Sequence, residues 1–332
     1  MLIAFDGACF ADGPPTGVAR AFCTGLTAYA ARGAADCVLL VPAGANAPAL
    51  AGVRVVAAPR GAWRRQLQLP GLLRALGADL LHSSVAAVPL RAACPTIATV
   101  HDLPWRHPQL HEPVSAWRRW ATRRALRSAT AVIAPSTLTR DDTAALLGAK
   151  APRLRVVPHG TALGEAPTAA TTAARRGPFL VLGDDRPRKN RARLRRAHAL
   201  ARAKANGLPD LQFAGPPDAY VDEAEKVRRL RSCRALVHVS RFEGFGLPVL
   251  EGLAHGAPVL CSALAPHHEI AGPHALFVDP DDDAAIAAAL LRLHADEALR
   301  WQLAAAGHAR AARFSPTAVA EAWANLHHEV LA

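Results

Sequence analysis

The chain of 332 residues is 51% hydrophobic and 20% charged, which supplies ample apolar surface for folding and argues against a disordered protein. Its net charge of +12 implies an anionic partner, and nucleic acid, an anionic membrane surface and a phosphorylated substrate all qualify. Aromatic residues make up only 5% and the phenylalanines form no stacking platform, so we expect no nucleic-acid partner.

Two further properties of the sequence concern the compartment. No apolar run is as long as a membrane span, and residues 1–7 have neither the basic region nor the apolar length of a signal peptide. The six cysteines stand singly, without a C-x-x-C pair, which is typical of reduced, buried thiols and indicates neither zinc nor a redox dithiol. We therefore expect a cytoplasmic protein.

The first half of the chain alternates strand-like and helix-like segments. Helical patterns such as 18–32 and 137–147 lie between short apolar runs that suit parallel strands: 2–5, 37–41, 53–57, 80–82, 96–100, 131–134 and 154–157. Such alternation predicts a doubly wound parallel sheet with right-handed crossovers.

The length favours two α/β domains, and the second half restarts the pattern. Residues 164–177 are rich in alanine and threonine, have no periodic apolar face and are predicted to be the linker. Helices are predicted at 282–295, 297–313 and from 315 to about 331, and strands at 179–182, 211–214, 235–240, 259–261 and 276–278. The predicted domains are therefore 1–163 and 178–314.

The most informative motif lies between the strand at 235–240 and the helix that follows it. Two carboxylates, Glu243 and Glu251, are separated by seven residues across a glycine-rich turn, and Pro248 suits the first turn of the helix. A strand, a glycine turn and a helix start aim free N–H groups and the positive end of a helix dipole at an anion. The pattern predicts a phosphate cradle flanked by two hydroxyl-binding carboxylates, which is a nucleotide-sugar site. The alternative is an ordinary strand–turn–helix unit with solvated glutamates.

Residues 240–279, with this E-x7-E spacing, resemble the donor site of retaining glycosyltransferases of family 4, which have the GT-B fold. Residues 183–190 (GDDRPRKN) resemble the P-R-K-N motif of the family. Residues 99–105 (TVHDLPW) resemble its H-D segment, notably in the bacterial mannosyl- and rhamnosyltransferase-like branches. The resemblance implies two Rossmann-like doubly wound parallel-sheet domains facing a cleft, with 315–332 as a helix crossing back to the first domain.

The resemblance also implies roles for residues of the second domain. Glu243 would bind hydroxyls of the donor sugar and Glu251 the ribose, while Lys189 and Arg188 would hold the diphosphate. Other implied donor-binding positions are glycines and backbone N–H groups: Gly17, Gly183, Gly246, Leu247 and Val249. Without the resemblance, Lys189 and Arg188 could equally be the solvated basic start of a helix. The next four arginines are interpreted as surface residues: Arg191, Arg193, Arg195 and Arg196.

In the first domain, His101 and Asp102 directly follow a buried strand. The resemblance makes His101 a contact to the donor sugar near the reacting carbon, and Asp102 an acceptor-side residue. On residue chemistry alone, a histidine at such an edge is as often structural as catalytic, and Asp102 would cap the turn before Pro104. The catalytic residues implied are thus His101, Glu243, Lys189 and Arg188.

The sequence contains no D-x-D motif and no His/Asp cluster with metal spacing, so we expect no metal and no cofactor. Cationic side chains and helix N-termini would neutralise the leaving group instead. Two departures from the family pattern stand out. Asp184 replaces an arginine that many members carry, with Arg186 as the candidate substitute. The segment from Asn190 to Glu243 is also one strand–helix unit shorter than usual, in the region that lines the nucleobase pocket.

Together with these features, the family resemblance implies a retaining, metal-independent glycosyltransferase that moves a hexose from a nucleoside-diphosphate sugar to a lipid-linked or polysaccharide acceptor. GDP-mannose is the favoured donor because of the H-D-L-P and P-R-K-N segments. The alternatives are a catalytically inactive GT-B partner subunit and a soluble disaccharide synthase or phosphorylase.

The segment 105–127 combines tryptophan with arginine, as helices on anionic membrane surfaces do. Trp117 and Trp120 are three residues apart, and Arg124 and Arg127 continue their helical face. An ordinary helix with core tryptophans and solvated arginines is the alternative. A lipid-linked acceptor favours the membrane, so we expect peripheral attachment to the inner face of the cytoplasmic membrane.

Overall fold

A computed structural model describes residues 1–10, 16–46, 48–216, 218 and 220–332, excluding the side chain of Lys150. The chain divides into two compact units. The first unit consists of Met1–Gly160 with Pro316–Ala332, and the second unit of Thr161–Ser315.

The first unit is built on a seven-stranded parallel sheet in the order β3-β2-β1-β4-β5-β6-β7. Its strands are β1 Leu2–Asp6, β2 Asp36–Pro42, β3 Val53–Ala58, β4 Leu80–Ser83, β5 Thr96–Thr99, β6 Ala131–Ala134 and β7 Arg153–Val156. Its helices before residue 160 are α1 Gly17–Ala30, α2 Ala62–Leu76, α3 Ala116–Ser128 and α4 Thr137–Leu147, with short 3₁₀ turns at Pro104–Arg106, Pro108–Leu110 and Gly148–Lys150.

The second unit has a five-stranded parallel sheet in the order β12-β11-β10-β8-β9. The strands are β8 Phe179–Leu182, β9 Leu211–Ala214, β10 Ala235–His238, β11 Val259–Ser262 and β12 Leu276–Val278. The helices are α5 Ala169–Ala173, α6 Arg191–Arg202, α7 Glu223–Ser232, α8 Leu247–Ala254, α9 Ala265–Ala271, α10 Asp283–Ala295 and α11 Glu297–Ala311. Short 3₁₀ turns lie at Pro187–Lys189, before α6, and at Ala312–Phe314, after α11. The last helix, α12 Pro316–Leu331, belongs to the first unit.

The predicted α/β architecture of doubly wound parallel sheets is confirmed. Each predicted strand is present with ends that differ by two residues at most. In the first unit, α1 connects strands toward β3, whereas α2, α3 and α4 connect strands in the opposite direction. Because such crossovers are right-handed, α2, α3 and α4 cover one face of the sheet and α1 covers the other.

The stretch 164–177, which its composition predicts to be a linker, is instead packed into the second unit. It contains α5, and the Arg175 guanidinium donates to the carbonyls of Leu230 (2.7 Å) and Gly256 (2.9 Å) from a buried position. One arginine that satisfies several backbone carbonyls anchors the segment, and such an anchor leaves no periodic signal in the sequence.

The helix α12 packs on the rest of the first unit through a cluster of aromatic side chains that also contains buried hydrogen bonds. Trp323 packs on α1 at Gly25, where a Cβ would lie only 2.7 Å from the ring. His327 of α12 is hydrogen-bonded through Nε2 to His82 Nδ1 and through Nδ1 to the Tyr29 hydroxyl, both at 2.9 Å. Burial lowers the pKa of His327 to about 4, and burial together with His327 lowers that of His82 well below 6.5.

This buried histidine pair predicts loss of stability in mild acid. Because the folded-state pKa values lie below the unfolded value near 6.5, the unfolded chain binds protons first, so stability is full above pH 6.5 and falls toward pH 4. For His327 the loss is on the order of 3 kcal/mol. Thermal unfolding between pH 7 and pH 5 checks this. His82→Phe/His327→Phe should flatten the slope, while His328→Gln, at the exposed neighbouring histidine, should leave it unchanged. An unaltered slope in the double variant would contradict the assignment.

Candidate functional site

The E-x7-E motif lies where β10 leads into α8. Gly246, the residue before α8, has φ +116°, and a Cβ there would lie 2.8 Å from Cδ2 of His267, so glycine is required. The first hydrogen bond within the helix runs from Leu250 N to Gly246 O at 3.2 Å. The N–H groups of Leu247 and Val249 therefore have no acceptor inside the helix, as an anion cradle needs, and Pro248 lies in the first turn as predicted.

Glu243 is a buried carboxylate with two cationic or polar donors. Lys189 Nζ lies 2.7 Å and His238 Nε2 2.8 Å from the same oxygen, Oε1. Burial by itself raises the pKa of Glu243, but the charge of Lys189 and the hydrogen bond from His238 outweigh it and hold the pKa well below its usual range. Glu243 is thus an ionised acceptor in a buried setting, where its hydrogen bonds to a ligand would be strong.

Lys189 and Arg188 reach this position through a turn after β8. Gly183 has φ +118° at the strand end, and the 3₁₀ turn Pro187–Lys189 follows. Asn190 closes the turn with φ 60° and donates through Nδ2 to the carbonyls of Val239 (3.0 Å) and Pro280 (2.7 Å). This clamp ties the turn to the strand end that carries Glu243.

Arg188 is buried and Lys189 is largely buried, so neither is a solvated side chain. Arg188 is 4% exposed and its guanidinium lies 5.9 Å from the centre of the Phe242 ring, and the Lys189 side chain is 12% exposed. The interpretation of the next arginines as surface residues is wrong for Arg191. Arg191 is 2% exposed, forms an ion pair with Asp218 and stacks on Phe213 at 4.8 Å.

Asp184 and Arg186, where the family pattern departs, form a pair with each other. Arg186 Nε lies 2.9 Å and Nη2 2.8 Å from Asp184 Oδ2. Burial raises the pKa of Asp184, but the Arg186 guanidinium more than offsets this and lowers it overall. The Arg186 side chain is half-exposed, and it stays a candidate substitute for the missing family arginine.

Glu251 has a lysine partner of its own that the sequence did not suggest. Lys226 of α7 is 5% exposed, and its Nζ lies 2.5 Å from Glu251 Oε1 and 2.9 Å from Glu223 Oε2. The chain has only four lysines, and two of them form ion pairs with the two glutamates of the motif. Because lysine is rare in this arginine-rich chain, each lysine position could have been taken as a signal of a special role. The compact ammonium of lysine fits beside a buried carboxylate.

In the first unit, His101 is fixed by two ring contacts. Its Nε2 lies 2.7 Å from the Ser84 carbonyl, so Nε2 carries a proton, and Nδ1 lies 3.2 Å from His159 Nε2. The two rings stack with centres 5.2 Å apart. Burial is the main cause that lowers the pKa of both histidines, and the pKa of His159 falls to about 3. Both imidazoles are therefore neutral. His159 was missed because it lies 58 residues away in sequence.

Asp102 and Gly17 occupy the predicted local positions in the first unit. Asp102 follows His101 beyond the end of β5 and is partly buried. Gly17 is the first residue of α1, where the Thr16 hydroxyl caps the helix by accepting from Ala19 N at 3.2 Å. A capped helix start is the geometry that suits a nearby anion.

Comparison with known proteins shows the family of the chain. The sequence model of Glycosyltransferase Family 4 matches residues 15–165, and that of glycosyl transferases group 1 matches residues 166–296. The O-antigen chain mannosyltransferase B of Escherichia coli is 38% identical over 96 residues, which are 29% of this chain and 25% of that protein. The matched part therefore spans about a quarter of the relative's length.

Two solved structures resemble the chain over nearly all of its length. Sucrose-phosphate synthase from Thermosynechococcus elongatus gives a TM-score of 0.73 at 20% identity, covering 99% of this chain and 98% of that chain. The Anabaena protein HepE, solved with UDP-glucose, gives 0.73 at 16% identity, covering 99% of this chain and 100% of that chain. Identities this low show a likeness of fold. With both parts of the chain matched by glycosyltransferase models and with neighbours of the GT-B type, the chain belongs to the glycosyltransferases of family 4 and has the GT-B fold.

Proposed function

We propose that this chain is a retaining, metal-independent glycosyltransferase that transfers a hexose from a nucleoside-diphosphate sugar to a lipid-linked or polysaccharide acceptor. The observation that carries the proposal is the largely buried Lys189–Glu243 pair beside the Gly246 turn and the N-terminus of α8. The Lys189 ammonium suits a diphosphate, and the Glu243 carboxylate suits sugar hydroxyls. The mannosyltransferase relative supports mannose and hence GDP-mannose as the favoured donor.

In the proposed reaction, Lys189 and Arg188 bind the diphosphate and neutralise the charge that grows as the sugar leaves. The bond between the anomeric carbon and the diphosphate oxygen breaks, and a bond to the acceptor oxygen forms on the same face. The acceptor proton passes to the departing phosphate oxygen, and a nucleoside diphosphate is released. Glu243 accepts hydrogen bonds from the donor sugar, Glu251 from the ribose, and the N–H groups of Leu247 and Val249 bind the distal phosphate.

We also propose the roles that the family resemblance implies for the first unit. His101 contacts the donor sugar near the reacting carbon, and Asp102 serves the acceptor. Both ring nitrogens of His101 already have hydrogen-bond partners, Ser84 and His159. A hydrogen bond from the ring to the donor sugar would therefore replace one of these two hydrogen bonds.

A thermal-shift screen of nucleoside diphosphates tests the donor assignment. Stabilisation grows as RT ln(1 + [L]/Kd), so GDP should raise the melting temperature more than UDP or TDP at equal concentration if GDP-mannose is the donor. HepE was solved with UDP-glucose, so a larger shift with UDP would overturn the preference for GDP and leave the enzyme class standing. The absence of a shift with every diphosphate would favour the inactive partner subunit.

We propose further that α3 attaches the protein to an anionic membrane surface. Trp117 and Trp120 are 61% and 55% exposed and stack on each other with ring centres 4.9 Å apart, so the alternative of core tryptophans is wrong. The helix contains no acidic residue and presents four exposed arginines: Arg118, Arg119, Arg123 and Arg124. None of the helices in the described ranges has both the length and the apolarity needed to cross a bilayer.

A second helix presents similar residues on the same face of the sheet. Trp63 and Leu67 of α2 are 74% and 78% exposed, and α2 also lacks acidic residues. Both α2 and α3 follow a strand of the same parallel sheet, so both begin at the edge formed by the carboxyl ends of the strands. This topology supports contact of both helices with one flat lipid surface.

Liposome flotation tests the membrane proposal. Binding should require vesicles that contain an anionic lipid such as phosphatidylglycerol, and it should weaken as the salt concentration rises. Changing the four arginines of α3 to glutamine should reduce the binding free energy by about 1 kcal/mol per charge removed. The matched control removes four exposed arginines of the second unit: Arg196, Arg202, Arg228 and Arg231. Equal flotation of the two quadruple variants, or equal binding to neutral vesicles, would refute the proposal and favour a soluble disaccharide synthase.

A further inference from the structure

His267, the third residue of α9, has a buried ring nitrogen, Nε2, without a hydrogen-bond partner among the described residues. The side chain is fully buried, and Nδ1 lies 2.9 Å from the Ser262 carbonyl. Because a carbonyl only accepts, Nδ1 carries the proton and Nε2 carries a lone pair. Within the described part of the chain, Nε2 has no hydrogen-bond partner.

This lone pair lies beside the residues assigned to the donor sugar. A Cβ added to Gly246 would come within 3.1 Å of His267 Nε2, so that atom lies directly against the glycine turn that precedes α8. The His238 ring, which donates to Glu243, has its centre 5.5 Å from the His267 ring. The charges of Glu243 and Lys189 also reach His267, although burial is the main cause that lowers its pKa to about 4. His267 is therefore a neutral acceptor at neutral pH.

The state of the ring decides which ligand group it can serve. A buried acceptor without a donor destabilises the folded protein, so such groups in native structures call for an explanation. A diphosphate at neutral pH offers only acceptor oxygens on its phosphates, and Nε2 has no proton to give them. A sugar hydroxyl can donate to Nε2.

We propose that His267 Nε2 accepts a hydrogen bond from a hydroxyl of the donor's glycosyl group and so helps to select the sugar. The proposal rests on the proposed function, because it assumes that a nucleotide sugar binds at Glu243 and Gly246. Glu243 and His267 would then contact the sugar with two acceptors, one charged and one neutral. Neither contact would involve the diphosphate.

Two substitutions separate the nitrogens of the ring. His267→Asn keeps an N–H near the position of Nδ1, which can still donate to Ser262 O, and removes the acceptor. His267→Gln places an amide oxygen near the position of Nε2 and so keeps an acceptor. Ser262 O retains a hydrogen bond from Leu264 N at 2.8 Å in either variant.

The test is titration of each protein with GDP-mannose and with GDP, repeated with UDP-glucose and UDP. We expect His267→Asn to raise the ratio of the Kd for the nucleotide sugar to the Kd for the diphosphate about tenfold, the effect of one hydrogen bond, and His267→Gln to leave the ratio within about twofold. Diphosphate binding serves as the internal check that each variant is folded. An unchanged ratio in the asparagine variant, or equal increases in both variants, would overturn the inference. Failure of the unaltered protein to bind any of the four would instead refute the proposed function.

Discussion

Glu243→Gln should reduce sugar transfer about 100-fold or more and leave nucleoside-diphosphate binding nearly unchanged. The substitution preserves shape but removes the negative charge whose hydrogen bonds to sugar hydroxyls strengthen in a buried site. Lys189 stays in place for the diphosphate. Kinetics with the nucleotide sugar and titration with the diphosphate together measure the effect. Glu321→Gln, at an exposed position on α12, is the matched control.

Glu251 is the contrasting position. Glu251→Gln keeps a hydrogen-bond acceptor for Lys226, so the buried lysine is not left unpaired. If Glu251 binds the ribose, this variant should weaken binding of the diphosphate itself by about 1–3 kcal/mol, or roughly 5- to 150-fold in Kd. Identical behaviour of the Glu243 and Glu251 variants in the diphosphate titration would show that the division of roles is wrong.

The second large effect is expected at Lys189. Lys189→Met should abolish detectable transfer, a loss of about 10³-fold or more, because the ammonium beside Glu243 would no longer neutralise the leaving phosphate and only Arg188 would remain for this at the turn. Methionine keeps the apolar stem that packs beside Glu243. The substitution also removes the charge that lowers the pKa of Glu243 most, so that pKa should rise and less of the carboxylate should be ionised.

The same experiment tests independence from metals. Transfer by the unaltered protein should persist in EDTA, since Lys189, Arg188 and the N-terminus of α8 neutralise the leaving group in the proposed reaction. Lys204→Met, at an exposed lysine, controls for the loss of one positive charge. A strict requirement for Mg²⁺ or Mn²⁺, or near-normal turnover of the Lys189 variant, would refute the proposed leaving-group chemistry.

The sequence predicted the fold well because parallel strands are buried on both faces and therefore appear as short apolar runs. The strand 131–134, for example, is predicted and observed at the same residues. Local chemistry also sufficed for Gly246 and Pro248, since a glycine turn followed by a proline defines a helix start without tertiary information.

The partners within the candidate site could not be predicted in the same way. His238 is the last residue of a buried strand, and only the turn of the chain after it brings its Nε2 to Glu243. Lys226 and Glu251 lie on different helices, and His101 and His159 follow different strands. Each of these contacts depends on how elements distant in sequence pack. Arg191 was predicted to be a surface residue because it lies in a run of basic residues. Only the tertiary structure shows that it contacts the Gly183 carbonyl and the Phe213 ring.

The donor assignment is tested most directly by calorimetric titration of the protein with GDP-mannose and GDP in EDTA, for the unaltered chain and the Glu243→Gln and Lys189→Met variants. We expect saturable binding of both ligands to the unaltered chain. We expect the lysine variant to bind neither ligand, and the glutamine variant to bind GDP normally but to lose the additional affinity that the sugar gives GDP-mannose. If the unaltered chain binds neither ligand and no other nucleoside-diphosphate sugar, or if Lys189→Met binds them undiminished, the assignment of this site to a nucleotide-sugar donor is contradicted.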